Sequence, residues 1–154
     1  MKELNLCPST LQEGYNTYSP AAQKVLFDGV AVSHIFSEPS PDSDTEEANE
    51  ATRGVGRISL SGAQPKFSIL VDNDKLRYAH EMEQGTFILK PRPTSYHIIN
   101  RDFCAANEHI TMQIASQVYD IETAANALCL FDDGTPAYIT RRFDVYSGGK
   151  YKQE

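Results

Sequence analysis

Cysteine is sparse in this 154-residue chain, with only Cys7, Cys104 and Cys129. Structural zinc sites need four Cys or His ligands, and Cys7 has no CxxC partner, so zinc is disfavoured. An odd, small count favours reduced thiols in a reducing compartment over a disulfide framework. Because Cys104 and Cys129 lie in apolar stretches, we expect both to be buried structural residues.

Long apolar runs and clusters of basic residues are also missing. No segment approaches the roughly 18 apolar residues that span a bilayer, and the first six residues lack the apolar core of a signal peptide. Lys and Arg total 14 against 21 Asp and Glu, giving a net charge of −7. Proteins that bind nucleic-acid backbones normally carry clustered basic residues. We therefore expect a cytoplasmic protein without direct nucleic-acid or membrane contact.

Composition divides the chain into three parts. Residues 1–36 form a small N-terminal module, whose short helix is opened by Ser19-Pro20 and stopped by Gly29. Residues 37–53 are acidic, Pro/Ser-rich and nearly free of large apolar side chains. Such a segment cannot bury enough surface to offset its ordering entropy, which predicts a flexible linker. Residues 54–154 are the third part, which contains the predicted strands and the long helix.

The third part predicts an α+β fold, with an antiparallel sheet of about five strands and one long helix. Strands are expected at residues 67–71, 76–80, 86–90, 123–131 and 137–142, with turns at 72–74 and 132–134. A helix over residues 103–119 carries one apolar stripe, formed by Phe103, Ala106, Ile110, Ile114 and Val118. Asn100 or Asp102 is its expected cap.

Small residues are concentrated in residues 54–66, GVGRISLSGAQPK. They allow backbone N–H groups to approach a ligand and form an anion cradle. Composition alone favours a plain Gly/Ser turn over such a cradle. The segment contains no GxxxxGK[ST], which excludes the mechanism of P-loop NTPases.

A lysine and a glutamate follow this segment in a suggestive order. Lys90 ends an apolar strand just before Pro91, and Glu108 lies on the flank of the stripe of the next helix. Protein-kinase N-terminal lobes have the same layout, in which a strand lysine grips the phosphates and a helix glutamate holds the lysine. We expect the Lys90 ammonium to approach Glu108. A solvated strand end and a solvated helix charge are the alternatives.

Four segments together resemble HipA-like serine/threonine kinases, the toxin kinases of HipBA- and HipBST-type toxin–antitoxin systems. They are ISLSGAQPK at 58–66, FILKP at 87–91, Asn107-Glu108 and YITRRFD at 138–144. Their order and separations are similar to those of the family, and the resemblance covers about residues 55–145. The SGAQ-K, LKP and RFD elements are specific as a set.

The resemblance implies that residues 54–154 are the ATP-binding N-terminal lobe of such a kinase. A phosphate-covering loop would contain Ser59, Ser61, Gly62, Ala63, Gln64 and Lys66. Lys90 would contact the ATP phosphates with Glu108 as its partner. Phe143 would line the adenine pocket, and Asp144 would lie close to the ribose. The alternative for these two residues is a core aromatic followed by a solvated aspartate. Ser59 is the first candidate for autophosphorylation, with Ser61 second.

The sequence departs from the family at both ends. Only the small module precedes the loop, as in shortened kinases that receive an extra subdomain as a separate protein. Where some relatives have zinc ligands, this chain has Thr10, Ser19 and Ala22. Phosphoryl transfer needs a hydroxyl-orienting aspartate and magnesium ligands, which the family carries in a later helical lobe. We therefore expect a fragment that lacks the C-terminal catalytic lobe and is inactive alone.

The resemblance also implies partners. They are a HipB-like DNA-binding antitoxin or a HipS-like small subunit, and an aminoacyl-tRNA synthetase as protein substrate. Magnesium ligands are expected from the missing lobe. The alternative function is a non-catalytic interaction module of a toxin–antitoxin system. A small metal-binding protein is a weaker alternative, because the ligands are missing.

Overall fold

A computed structural model describes residues 5–41, 64–93, 95 and 97–145 of the chain. Within these residues it has two α-helices, one short 3₁₀ helix and six strands. In chain order they are α1 (Pro20–Phe27), β1 (Ile35–Phe36), β2 (Phe67–Asp72), β3 (Lys75–Tyr78), β4 (Phe87–Lys90), the 3₁₀ helix Arg101–Phe103, α2 (Cys104–Gln117), β5 (Asn126–Phe131) and β6 (Pro136–Arg141). Neither described helix has the length and apolar character needed to cross a bilayer.

The six strands form a single mixed sheet in the order β1-β5-β6-β4-β2-β3. The α+β class is therefore confirmed, and β2 to β6 are the five antiparallel strands expected from the sequence. The prediction of a purely antiparallel sheet was wrong at one edge, where Ile35 and Phe36 pair in parallel with β5. Two residues are too short a run for side-chain alternation to reveal a strand.

Two predicted turns join neighbouring strands. Between β2 and β3, Asn73 and Asp74 both adopt positive φ, at 48° and 63°, which is the conformation that a two-residue hairpin turn requires. Between β5 and β6, the Gly134 N–H donates to the Phe131 carbonyl at 2.8 Å. Gly134 has a φ of 80°, which glycine adopts without a Cβ penalty.

Helix α1 begins and ends at side-chain caps. The Ser19 hydroxyl accepts from the Ala22 N–H at 3.2 Å, as expected from Ser-Pro at a helix start. The helix ends at Asp28, whose φ is 54°. At that end the Arg141 guanidinium donates to the carbonyls of Val25 and Leu26 at 3.1 and 3.2 Å. A residue far along the chain thus satisfies carbonyls that have no partner within the helix.

Residues of the N-terminal module share one hydrophobic core with the sheet. Since side chains alternate along a strand, every second residue of β2, β4, β5 and β6 faces this core. The buried members include Cys7, Tyr18, Leu26, Phe27, Phe36, Phe67, Ile69, Phe87, Leu89, Ala127, Cys129, Phe131, Ala137 and Ile139. Helix α1 therefore covers one face of the sheet. The predicted linker lies outside the described residues from position 42 onward.

Helix α2 packs on β5 and β6 across the opposite face of the sheet. Its position along the chain was predicted to within a few residues, but the expected apolar stripe does not face the sheet. The residues that α2 buries are Ala105 and His109. Four stripe residues point outward, with Phe103, Ile110, Ile114 and Val118 exposed by 61%, 47%, 45% and 69%.

Three local predictions on or near α2 were wrong. The Asn100 side chain makes no capping hydrogen bond. Asp102 does not cap either, since its carboxylate accepts from Arg92 at 3.0 Å. Phe103 occupies the N-cap position without a side-chain cap. Cys104 is only partly buried, whereas Cys129 is buried as expected.

Candidate functional site

Lys90 and Glu108 meet on the α2 face of the sheet. Phe87 and Leu89 of β4 point into the core, so alternation directs Lys90 to the other face. There its ammonium donates to a carboxylate oxygen of Glu108. The predicted approach of these two groups is confirmed. About a fifth of each side chain is exposed, 20% for Lys90 and 23% for Glu108, so the pair is reachable from solvent.

Tyr138 provides a third wall of this site. It pairs with Lys90 across β4 and β6, and the Lys90 ammonium lies 5.3 Å from the centroid of its ring. That distance is within the range of a cation–π contact. Burial, and secondarily the nearby Glu108 carboxylate, raises the pKa of Tyr138 to about 12. Tyr138 belongs to the YITRRFD segment, but nothing in the sequence pattern indicates that its ring lies beside Lys90.

The end of the predicted phosphate loop lies beside the lysine. The Gln64 side-chain amide donates to the Pro91 carbonyl at 3.1 Å, which joins the SGAQ and LKP segments. Lys66 directly precedes β2, whose first residue, Phe67, pairs with Leu89. Lys66 therefore enters the sheet next to Lys90. The other predicted loop residues, Ser59, Ser61, Gly62 and Ala63, lie outside the described residues.

The predicted adenine and ribose residues follow β6. Phe143 is 79% exposed, so its ring is available to a ligand but does not line a closed pocket. The Arg142 guanidinium holds the Asp144 carboxylate through two hydrogen bonds of 3.0 and 2.6 Å. This contact lowers the pKa of Asp144 and keeps it ionised. The Arg142 N–H donates to the Thr86 carbonyl at 2.9 Å, which extends the pairing of β4 with β6.

A cavity of about 440 Å³ opens at this end of the sheet, beside the end of α1. Its lining includes Phe27, Phe87, Arg141 and Arg142. Lys90 and Phe143 are not part of that lining. The cavity therefore does not contain Lys90 and Phe143, the two residues on which the predicted nucleotide site depends.

Comparisons with known proteins place the chain in a family. The family model described as the HipA-like C-terminal domain matches residues 58–154. A putative kinase of Haemophilus influenzae is 32% identical over 150 residues, which cover 92% of this chain and 40% of the relative. HipA of Shewanella oneidensis, solved with HipB and operator DNA, aligns over 73% of this chain and 23% of its own at 24% identity and a TM-score of 0.41. The chain spans about two fifths of the curated relative's length, and it belongs to the HipA-like C-terminal domain family.

Proposed function

We propose that this chain is the nucleotide-binding lobe of a HipA-like serine/threonine kinase, in which Lys90 binds the phosphates of ATP. The observation that carries the proposal is the contact of the Lys90 ammonium with Glu108. In protein kinases, an ion pair between a strand lysine and a helix glutamate orients the lysine that binds the phosphates. The carboxylate directs the ammonium, and the exposed fifth of the lysine leaves room for a phosphate oxygen.

The surroundings of Lys90 suit an anion. Lys66 enters the sheet beside it and brings a second positive charge. Gln64 holds the end of the phosphate loop against Pro91. We place Ser59, Ser61, Gly62 and Ala63 in the covering loop on the strength of the family resemblance. Phe143 and Asp144 remain the proposed adenine and ribose contacts, with the Phe143 ring exposed for stacking.

Magnesium would accompany the ATP. Within the described ranges no three His, Cys, Asp or Glu side chains are grouped closely enough to hold a metal ion. We propose that its ligands, and the aspartate that orients the substrate hydroxyl, come from a C-terminal lobe such as the family carries. A HipB-like or HipS-like partner and an aminoacyl-tRNA synthetase substrate are proposals that rest on the resemblance.

An ATP analogue with an acyl group on its terminal phosphate tests the phosphate contact. A lysine amine beside the phosphates attacks the acyl carbonyl, forms an amide and releases ATP. Peptide mass spectrometry should find Lys90 labelled, with Lys66 second, and excess ATP should suppress the labelling. Lys24 and Lys75 are exposed lysines away from the site and serve as internal controls. Equal, ATP-insensitive labelling of all four would contradict the proposal and favour the non-catalytic interaction module.

A further inference from the structure

The face that α2 turns toward the sheet carries polar side chains beside the buried Ala105. His109, Gln113 and the exposed Gln117 follow each other at intervals of four, which places them in one row on the helix. His109 is fully buried. All three side chains make hydrogen bonds that connect α2 with the rest of the chain, directly or through one another.

Asn126, the first residue of β5, is the centre of these contacts. Its side-chain carbonyl accepts from Gln113 at 3.1 Å and lies 2.9 Å from Nδ1 of His109. Its side-chain N–H donates to the Ala124 carbonyl at 2.8 Å. That last bond fixes which end of the amide is the oxygen. Because the oxygen faces His109, Nδ1 must carry the ring proton.

The same row reaches the N-terminal module. Gln117 donates from its amide nitrogen to the Gln113 side-chain oxygen at 2.7 Å and to the Thr10 carbonyl at 3.1 Å. From the module, the Ser9 hydroxyl donates to the Asn126 backbone carbonyl at 2.8 Å. These hydrogen bonds form one connected chain from Thr10 through Gln117 and Gln113 to Asn126 of β5, and each donor in it meets an acceptor.

We propose that His109 and Gln113, held by Asn126, are positioning residues that set the rotation of α2 so that Glu108 reaches Lys90. The N-terminal module takes part through Ser9 and Thr10. Glu108 immediately precedes His109 on α2, so the rotation of the helix sets the direction in which its side chain leaves the backbone. This positioning role matters for function through the proposed contact of Lys90 with ATP.

Helix geometry shows why rotation matters. A side-chain tip lies about 5–6 Å from the helix axis, so a roll of about 30° displaces it by about 3 Å. Such a displacement separates an ammonium from a carboxylate. The outward stripe residues Ile110, Ile114 and Val118 are 47%, 45% and 69% exposed, whereas the Asn126 hydrogen bonds are directional and break when the helix turns.

The reactivity of Lys90 toward an acetylating reagent measures the contact without any nucleotide. An amine held by a carboxylate reacts slowly, and loss of Glu108 through Glu108→Gln should raise the Lys90 rate about two- to fivefold, as expected for a partly exposed ion pair. His109→Leu, which keeps volume but removes the donor, should raise it by a similar factor. His109→Asn retains a donor near the Nδ1 position and should restore the slow rate.

The double variant of His109 and Glu108 distinguishes a positioning role of His109 from a general loss of stability. If His109 acts through Glu108, His109→Leu should add nothing to the Lys90 rate in the Glu108→Gln background. Gln113→Leu should repeat the pattern and serves if His109→Leu does not fold. Thr111→Val on the exposed side of α2 is the matched control, and Lys24 is the reference lysine. The inference would be overturned if His109→Leu and Gln113→Leu both fold and leave the acetylation rate of Lys90 unchanged. It would also be overturned if they raise that rate by the same factor in the Glu108→Gln background as in the wild type.

The outcome is independent of ATP. Lys90 acetylation that follows the expected pattern, together with no nucleotide labelling, would support the positioning network and reject the proposed function. Labelling of Lys90 by the ATP analogue, together with acetylation rates that the variants leave unchanged, would support the proposed function and reject the positioning network.

Discussion

The Lys90 ammonium lies between the Glu108 carboxylate, to which it donates, and the ring of Tyr138, whose centroid is 5.3 Å away. The three residues come from β4, α2 and β6. Each is partly or fully screened from water. The arrangement fixes a cation at one place on the sheet and leaves 20% of the Lys90 side chain exposed.

Gly85 is required by close backbone packing. A Cβ at this position would lie 2.2 Å from the Ser68 hydroxyl oxygen and 2.6 and 2.8 Å from the carbonyl oxygen and amide nitrogen of Ile69. The backbone atoms cannot move away cheaply, so Gly85→Ala should lower the free energy of unfolding by more than about 2 kcal/mol in urea denaturation. Ser68→Ala is the control, because it removes only the 3.1 Å bond from the Gly85 N–H. Equal losses in the two variants would contradict the close-packing account.

Arg141 stabilises the end of α1. Arg141→Met removes hydrogen bonds to the Val25 and Leu26 carbonyls and the ion pair with Asp28. We expect a loss of about 1–2 kcal/mol in the free energy of unfolding. Asp28→Asn is a matched control, since Asn tolerates the positive φ of this position and only the exposed ion pair is lost, worth about 0–1 kcal/mol. An Asp28→Asn loss as large as that of Arg141→Met would mean that the carbonyl caps contribute nothing.

Buried His109 predicts a specific acid sensitivity. Burial lowers its pKa below the ordinary 6.5, and Nε2 has no hydrogen-bond partner among the described residues. The folded protein therefore binds this proton less readily than the unfolded chain. The stability that neutral His109 contributes is fully present above pH 6.5 and is lost as the pH falls toward the folded pKa, with a slope of at most about 1.4 kcal/mol per pH unit.

Urea denaturation at pH values from 5 to 8, spanning the ordinary His pKa of about 6.5, checks this sensitivity. His109→Asn should flatten the part of the profile that His109 causes. The pKa of His34 is also lowered by burial and contributes with the same sign, so His34→Asn is the control. Asp28 and Asp144, with lowered pKa values, act only at more acidic pH, below their ordinary value of 3.8. An identical pH profile for His109→Asn and the wild type would contradict the assignment.

Strands with clear alternation and helices with local caps could be predicted from the sequence. Ser19-Pro20 signals the start of α1 with its own side chain, and the 132–134 turn is encoded in three adjacent residues. β1 could not be predicted because its two residues are defined by pairing with a strand about 95 positions later. The cap that Arg141 gives α1 is equally non-local.

The rotation of α2 is the most instructive difference. Its apolar stripe predicted an inward apolar face, but the sheet offers Lys90 and Asn126 on that side. Burying either group without a partner would cost about 1–3 kcal/mol, so the helix face with Glu108 and His109 turns inward. For the site, the Lys90–Glu108 contact followed from motif order. Tyr138 and Asn126 were missed because their roles depend on which strands are neighbours.

The proposed function predicts that this chain alone transfers no phosphate. On that proposal the magnesium ligands and the hydroxyl-orienting aspartate come from a C-terminal lobe. Where they are missing, the charge on the β- and γ-phosphates stays uncompensated, and positioning with charge stabilisation accounts for nearly all phosphoryl-transfer catalysis. Radiolabelled phosphate should reach Ser59 in a protein extended by a C-terminal lobe, but neither in residues 1–154 nor in an extended Lys90→Ala variant. Efficient labelling of the 154-residue chain by itself would place catalytic residues within it.

Binding of ATP to the chain tests the central claim most directly. An open half-site buries little of the nucleotide, so we expect weak affinity, on the order of millimolar, followed as amide shifts in an NMR titration. Lys90→Met should weaken binding about tenfold or more, because a charged hydrogen bond to phosphate is lost. Lys24→Met, on the far side of the sheet, should bind like the wild type. Saturable ATP binding that Lys90→Met leaves unchanged would contradict the account.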